Sequence, residues 1–344
     1  LVANQKFLEH QMKNIFLSVI LISSNFIFTQ YAVANQNKLV VYTYESFVSD
    51  WGPGPKIEEE FENVCNCDLE FIGLDSSIGI LGRIKLEGDE TNADIILGLD
   101  TNLLTTAKNT NLLEKHKVQM SDLNLPISWS DEFFIPFDWG HFSFVYNSES
   151  LKEPPKSFDE LASEENSLKI IIQDPRTSTP GLGLVLWVKS IFNEDAKRIW
   201  EKLSPKIVTV TKGWSEAYGL FLEGEADMVL SYTTSPAYHI MAEDEKKYKA
   251  AIFDDGHYLQ VEVAAITKKG SKSKLSFDFM NFILSEKFQS VIPTTNWMFP
   301  VTNIKLPDTF ENLNKPSKAL LMNSDDIENN RKKWISEWRR ALVK

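Results

Sequence analysis

The chain has 344 residues, more than the ~250 that one hydrophobic core usually organises, so two lobes are expected. Its 43% hydrophobic and 24% charged residues are ordinary for a globular protein. The formal net charge of −12 argues against nucleic acid as a partner and leans towards a cationic ligand.

The first 34 residues are set apart from the fold. Lys13 precedes the apolar run NIFLSVILISSNFIF, which ends at Ala32-Val33-Ala34. A positive region, an apolar stretch and a small-residue cleavage site are the parts of a secretory signal. Met12 is the natural start, with residues 1–11 upstream of it. A membrane anchor is the rival reading, but Ser23, Ser24 and Asn25 break the run short of the ~20 apolar residues a span requires. Cleavage after Ala34 removes Lys6, Lys13 and Glu9, leaving 34 basic and 47 acidic side chains and a net charge of −13.

Residues 39–44, LVVYTY, alternate and branch like a buried first strand. PKIEEEFENV follows as a helix, with Pro55 at its start and Ile57, Phe61 and Val64 on one face. The only two cysteines come next, Cys65 and Cys67. With no nearby His or further Cys they do not complete a tetrahedral zinc site. They are open to a tight local disulfide, which we favour, to pairing between molecules, or to remaining reduced. LEFIGL is a second strand; Asp75 and Ser76 at its end precede a helix carrying Ile78, Leu81 and Ile84. ADIILGL is a third strand ending at Asp100. Strand and helix alternating in this way give a parallel, doubly wound α/β lobe.

FFIPFDWGHFSFVYN, residues 133–147, is a long aromatic strand and the candidate crossover to a second lobe. Ser157 and Glu160 are placed as a capping box. KIIIQ is a strand, and DPRTST runs into a helix in which Thr179 and Pro180 fit N-cap and N1. KIVTVT is another strand. The segment GWSEAYGLFLEGEADMVLSYTTSPAYH, residues 213–239, reads as a helix, a strand, and a turn that begins an acidic helix. YLQVEVAAIT is a returning strand, and helices near 272–292 lead to the loop PTTNWMFPV.

Catalytic and phosphate-binding patterns are weak. PGLGL at 180–184 lacks the spacing of a dinucleotide loop and has no Gly-Lys-Ser/Thr. His116, His141, His239 and His257 are scattered, and Ser178 and Ser235 sit in no nucleophile elbow. Ser178 and Thr179 do stand at a helix start, where free backbone N–H groups favour anions; plain N-capping is the alternative. Loop aromatics are more suggestive. Tyr44, Trp51, Trp214, Tyr232 and Trp297 all fall at strand ends or in loops, where sites are built. Converging on one cleft, they make a cage for a cation or a flat heterocycle.

At these positions the chain resembles a known family. YTYESFVSDWGPGP, CNC, ADIILGLDTNLL, QDPRTSTPGLGL, TVTKGWSEAYGLFLEGEADMVLSYTTSPAYH, YLQVEVAA and IPTTNWMFPV are similar to the bacterial periplasmic thiamine-binding proteins, and the likeness continues to WISEW near the C-terminus. It implies the type II periplasmic binding-protein fold: two doubly wound α/β lobes joined by crossover strands, with the ligand cleft between them. Lobe one is expected from 35–143 and 263–300, lobe two from 144–262, with C-terminal helices over 301–344. The resemblance implies aromatic ligand contacts at Tyr44, Trp214, Tyr232 and Trp297. It implies polar contacts at Thr233, Thr234 and Ser235 after a strand, and at Ser178 and Thr179 at a helix start. Asp75 matches an acidic residue that accepts from the pyrimidine amino group. Ser76 departs from the family, which has Gly there. The implied protein is a monomeric periplasmic receptor with no cofactor and no resident metal. Its expected partners are thiamine, thiamine monophosphate, thiamine diphosphate and the membrane permease of an ABC importer. The alternatives are a polyamine or ferric-ion receptor of the same fold, or an enzyme acting on thiamine with Cys65 or Cys67 as nucleophile.

Overall fold

The computed structural model describes residues 37–343; the export signal expected over 1–34 lies outside them. Strand β1 is Lys38–Tyr44, β2 is Asp68–Leu74 and β3 is Ile95–Asp100. β1 lies between the other two and runs parallel to both. Helix α1, Gly54–Cys65, buries Ile57 and Phe61 one turn apart. Val64, expected on that same face, is 56% exposed. The helix stops at Cys65, where Asn66 turns the chain in the left-handed region. The Cys65–Cys67 disulfide packs on the core at that end in place of the valine. Helix α2, Ser77–Glu87, covers the sheet with Ile80, Leu81 and Ile84; Ile78 is half-buried.

β4 is the long strand Phe134–Asn147, β5 is Ile170–Gln173, β6 is Ile207–Thr211 and β7 is Met228–Tyr232. Between them run α3 (Thr179–Phe192), α4 (Ala196–Leu203) and α5 (Trp214–Leu222). α6, Pro236–Ala242, precedes β8, His257–Thr267. The main path of the sheet is β2-β1-β3-β8-β4-β7-β5-β6. Its two ends are parallel and its middle is antiparallel. β4 pairs with β8 through residues 134–141 and with β7 through 142–146, so it passes from one parallel half to the other. β8 turns back beside it. These two strands are buried along nearly their whole length, as central strands covered on both faces must be.

Three local readings need correction. α3 is capped by Ser178, so Thr179 and Pro180 stand at the first two helical positions instead of N-cap and N1, and the Ser178 side chain makes no capping hydrogen bond. In the short helical turn Phe158–Leu161, Ser157 Oγ accepts from Glu160 N at 3.1 Å. The return contact of the box is displaced, with Lys156 N donating to Glu160 Oε2 at 2.8 Å. The acidic run after α6 is outside the helix: His239 binds Glu243 Oε2 at 2.7 Å, and Asp244 takes a left-handed conformation that ends the helical path.

The C-terminal helix α8 follows α7 (Lys274–Ile283) and spans Ser324–Leu342. It buries Ile327, Trp334 and Trp338. It touches both parallel halves: Thr105 donates to Asp325 at 2.6 Å and Thr106 to Glu328 on one side, while the buried Lys189 of α3 pairs with Glu337 at 3.2 Å on the other.

Candidate functional site

The strand ends of the two halves face each other across a cavity of about 420 Å³, within the range of small-molecule sites, roughly 300–1,000 Å³. Tyr44 reaches it from the end of β1, Trp214 from the start of α5 and Tyr232 from the end of β7. Each ring is fixed from behind. Trp214 Nε1 donates to Ser231 Oγ at 2.8 Å, and its ring stacks on Tyr218 at 5.0 Å. Tyr218 OH in turn meets His239 Nε2 at 2.9 Å. Tyr232 OH donates to Gln260 Oε1 at 3.3 Å. Trp297, in the loop after the helical turn Ile292–Thr295, meets Tyr238 edge-on at 5.3 Å. Trp51, which the resemblance did not single out, faces Trp214 across the cleft at 6.5 Å between ring centroids.

Contacts cross the cleft at its rim. The Asp75 carboxylate, after β2, pairs with the Lys212 ammonium, after β6. Thr179 Oγ1 donates to Ser77 Oγ at 3.4 Å. Ser76, the departure from the family pattern, is the N-cap of α2, accepting from Gly79 N at 3.2 Å. Its backbone is extended, φ −163°, so the position does not require glycine. Ser178 and Thr179 line the cavity with Asp75 and Ser76. Ser235 lines it too, though its hydroxyl also accepts from Tyr232 N at 3.2 Å and closes the turn.

Thr233 and Thr234 are not brought to the cavity. Thr233 N donates to His141 O at 2.9 Å, which ties the turn to β4, and Thr234 Oγ1 turns towards Met298 Sδ at 3.8 Å. Both side chains are buried in the packing behind the site.

The floor was not read from the sequence. Glu262 of β8 lines the cavity, and register places it opposite both Asp138 of β4 and Asp100 of β3. Tyr44 OH donates to Glu262 Oε2 at 2.9 Å, and Asn296 Nδ2 donates to Asp138 Oδ2 at 2.6 Å. Burial pushes both the Asp138 and Glu262 carboxyls up; the Asp138 charge raises Glu262 further, while contacts with Asn296 and Glu262 pull Asp138 part of the way back. Burial also lifts Asp100 to about 7. The Tyr44 and Tyr232 phenols are pushed well up by burial and then by Glu262, so both stay neutral. One signal was available: Gln260 and Glu262 interrupt the apolar YLQVEVAAIT, and charged residues are almost never fully buried without a partner.

Residues 90–330 match the family described as bacterial extracellular solute-binding protein. The ferric binding protein from Campylobacter jejuni has the same fold, at a TM-score of 0.72 and 19% identity over 88% of this chain and 99% of that one. Fold and cleft thus define a two-lobed bacterial solute-binding protein. The thiamine-binding periplasmic protein of Escherichia coli K12 is 51% identical over 88% of this chain and 93% of its own length. A solved periplasmic thiamin binding protein superposes with a TM-score of 0.88 at 50% identity, over 89% and 96% of the two chains. The chain belongs to the family of periplasmic thiamine-binding proteins.

Proposed function

We propose that the protein captures thiamine in the periplasm, as a monomer, and hands it to the permease of an ATP-driven importer. The carrying observation is the ring of aromatic side chains around the cavity, Tyr44, Trp51, Trp214, Tyr232 and Trp297, set above an acidic floor. Thiamine joins a flat aminopyrimidine to a positively charged thiazolium. Aromatic faces attract such a cation by roughly 0.5–2 kcal/mol per good contact, and Asp75 is free to accept from the amino group once Lys212 lets it go.

In this reading residues 35–143 and 263–300 form lobe one, 144–262 form lobe two, and 301–344 pack upon both. β4 and β8 are the hinge. Ligand touching both lobes only when they close shifts the population towards the closed form. The start of α3 at the cavity supports binding of thiamine monophosphate and diphosphate as well. Ser178 spends no hydroxyl on capping, and first-turn N–H groups favour a phosphate. No covalent chemistry is proposed: the candidate nucleophiles Cys65 and Cys67 are joined to each other and do not line the cavity. A ferric site needs adjacent tyrosines, whereas Tyr232 is followed by Thr233. A polyamine site needs carboxylates along a chain.

Calorimetric titration with thiamine, its two phosphates and spermidine tests this reading, with mass analysis of the recovered ligand. Thiamine is expected to saturate one site and return unchanged. Heat from spermidine with none from thiamine, or a cleaved ligand, would refute it.

A further inference from the structure

Glu262 and Asp138 form a buried acidic pair with no cation of their own. Glu262 is 4% exposed and Asp138 fully buried. They face each other across the two crossing strands, and the same amide group, Asn296 Nδ2, approaches Asp138 Oδ2 at 2.6 Å and Glu262 Oε2 at 3.5 Å. Asp138 Oδ1 is buried and has no hydrogen-bond partner. The groups facing the pair from each neighbouring element are neutral or acidic. They are Tyr44 from β1, Asp100 from β3, Tyr232 from β7, Gln260 from β8 and Asn296 from the loop before Trp297. His141 of β4 is held neutral by its burial, titrating at about 4. Lys212 lines the same cavity but pairs with Asp75 at the rim, and among the described residues no Lys, Arg or His forms an ion pair with Glu262 or Asp138.

Two buried carboxylates side by side without a counter-charge repel each other when both are ionised, and such a pair keeps a proton. Glu262 is nevertheless a wall of the cavity. A cationic ring arriving there supplies the missing charge, and an opposite charge within ~4–6 Å favours the ionised carboxyl.

We propose that Glu262, backed by Asp138, is the counter-charge for the cationic ring of the ligand, and that binding expels the proton the pair holds in the empty site. This deepens the thiamine reading and rests on it. The exchange balances as carboxylic acid plus ligand cation giving a carboxylate–cation pair and one free proton. The pair then selects for charge as the aromatic rings select for flatness. A neutral ring of the same shape finds a protonated Glu262, gains no ion pair and releases nothing. Affinity for the cation therefore strengthens as pH rises, by up to tenfold for each pH unit, over the range where the empty pair is protonated.

The test is calorimetry of the full chain at pH 7 in buffers of different ionisation enthalpy, using thiamine and its uncharged thiazolone analogue. Thiamine is expected to release a substantial fraction of one proton and the analogue none. Glu262→Gln should weaken thiamine at least tenfold, abolish proton release and leave the analogue unaffected. Asp138→Asn removes the neighbouring charge, so Glu262 ionises more easily and release should shrink while thiamine still binds; this variant keeps the test open if Glu262→Gln does not fold. Thiamine binding without proton release, with Glu262→Gln binding as tightly as wild type, overturns this inference and leaves the receptor reading standing. No thiamine binding by the wild type overturns both.

Discussion

Trp297 holds φ at +56°, just past the helical turn Ile292–Thr295, where Trp297 N donates to Ile292 O at 3.0 Å. Helix ends of this shape usually place glycine or asparagine there, and a large side chain in the left-handed region costs of order 1–2 kcal/mol. That cost is consistent with a ring placed for contact. Trp297→Leu keeps the backbone strain and apolar bulk but loses the ring face. Thiamine and its phosphates are expected to weaken alike, by roughly 0.5–2 kcal/mol, in parallel titrations; wild-type affinity would assign the ring to packing. Asp100 carries a prediction for stability. Its carboxyl is lifted from 3.8 to about 7 by burial, against donation from Asn102. The folded state therefore holds a proton the unfolded chain has released between those values, and that contribution is present below about pH 4 and lost as pH rises towards 7. Buried His141 and His257, both pushed down to about 4 by burial, slope the other way, so the difference between variant and wild type is the useful quantity. The stability of Asp100→Asn relative to wild type should rise with pH across that window, by up to ~1.4 kcal/mol per pH unit. Denaturant melts at several pH values measure it, and a flat difference would place Asp100 ionised in the fold.

Helix starts distinguish capping from binding. Ser157 makes its capping bond and Ser178 does not, although both are serines at N-caps. Ser157→Ala should cost ~1 kcal/mol of folding stability, while Ser178→Ala should stay within about 0.5 kcal/mol. Combined with Thr179→Ala, the latter should weaken thiamine phosphates more than thiamine itself. Equal loss for every ligand would remove the phosphate role from α3. The contrast also shows what the sequence could carry. Period and turn chemistry located β1 to β8 and the helices α1, α2, α3, α5 and α7, because burial on one or both faces imprints itself locally on a strand or helix; α4 was not read, and α8 was expected only from the resemblance. Ser157 and Ser178, by contrast, look alike until tertiary packing decides which hydroxyl turns inward to its own helix. The orientation of Thr233 and Thr234 was hidden for a similar reason, since the bond from Thr233 N to His141 O that sets the turn comes from a strand ninety-odd residues away. Asp75 meeting Lys212, and Asp138 meeting Glu262, are likewise pairings made by topology alone.

At the scale of the molecule the two halves share one sheet, so opening means twisting β4 against β8 and cannot be a free swing on a linker. α8 limits the twist further, being anchored to Thr105 and Thr106 on one side and Lys189 on the other. The described conformation already joins the rims through Asp75–Lys212 and Ser77–Thr179, which makes it a closed one. If open molecules coexist with this form, thiamine is expected to shift them towards it, a small compaction measurable in X-ray scattering; an unchanged radius would mean that the site is preformed. The facing indoles of Trp51 and Trp214 have a consequence for how such motion can be watched. They sit on opposite halves with ring centroids 6.5 Å apart, and Trp51 is half exposed. Two chromophores that close exchange excitation and share a common exciton, while separated ones absorb and emit independently, and a bound electron-poor heterocycle quenches both. The protein thus carries its own optical gauge of closure, readable from near-ultraviolet circular dichroism and intrinsic emission with no label attached.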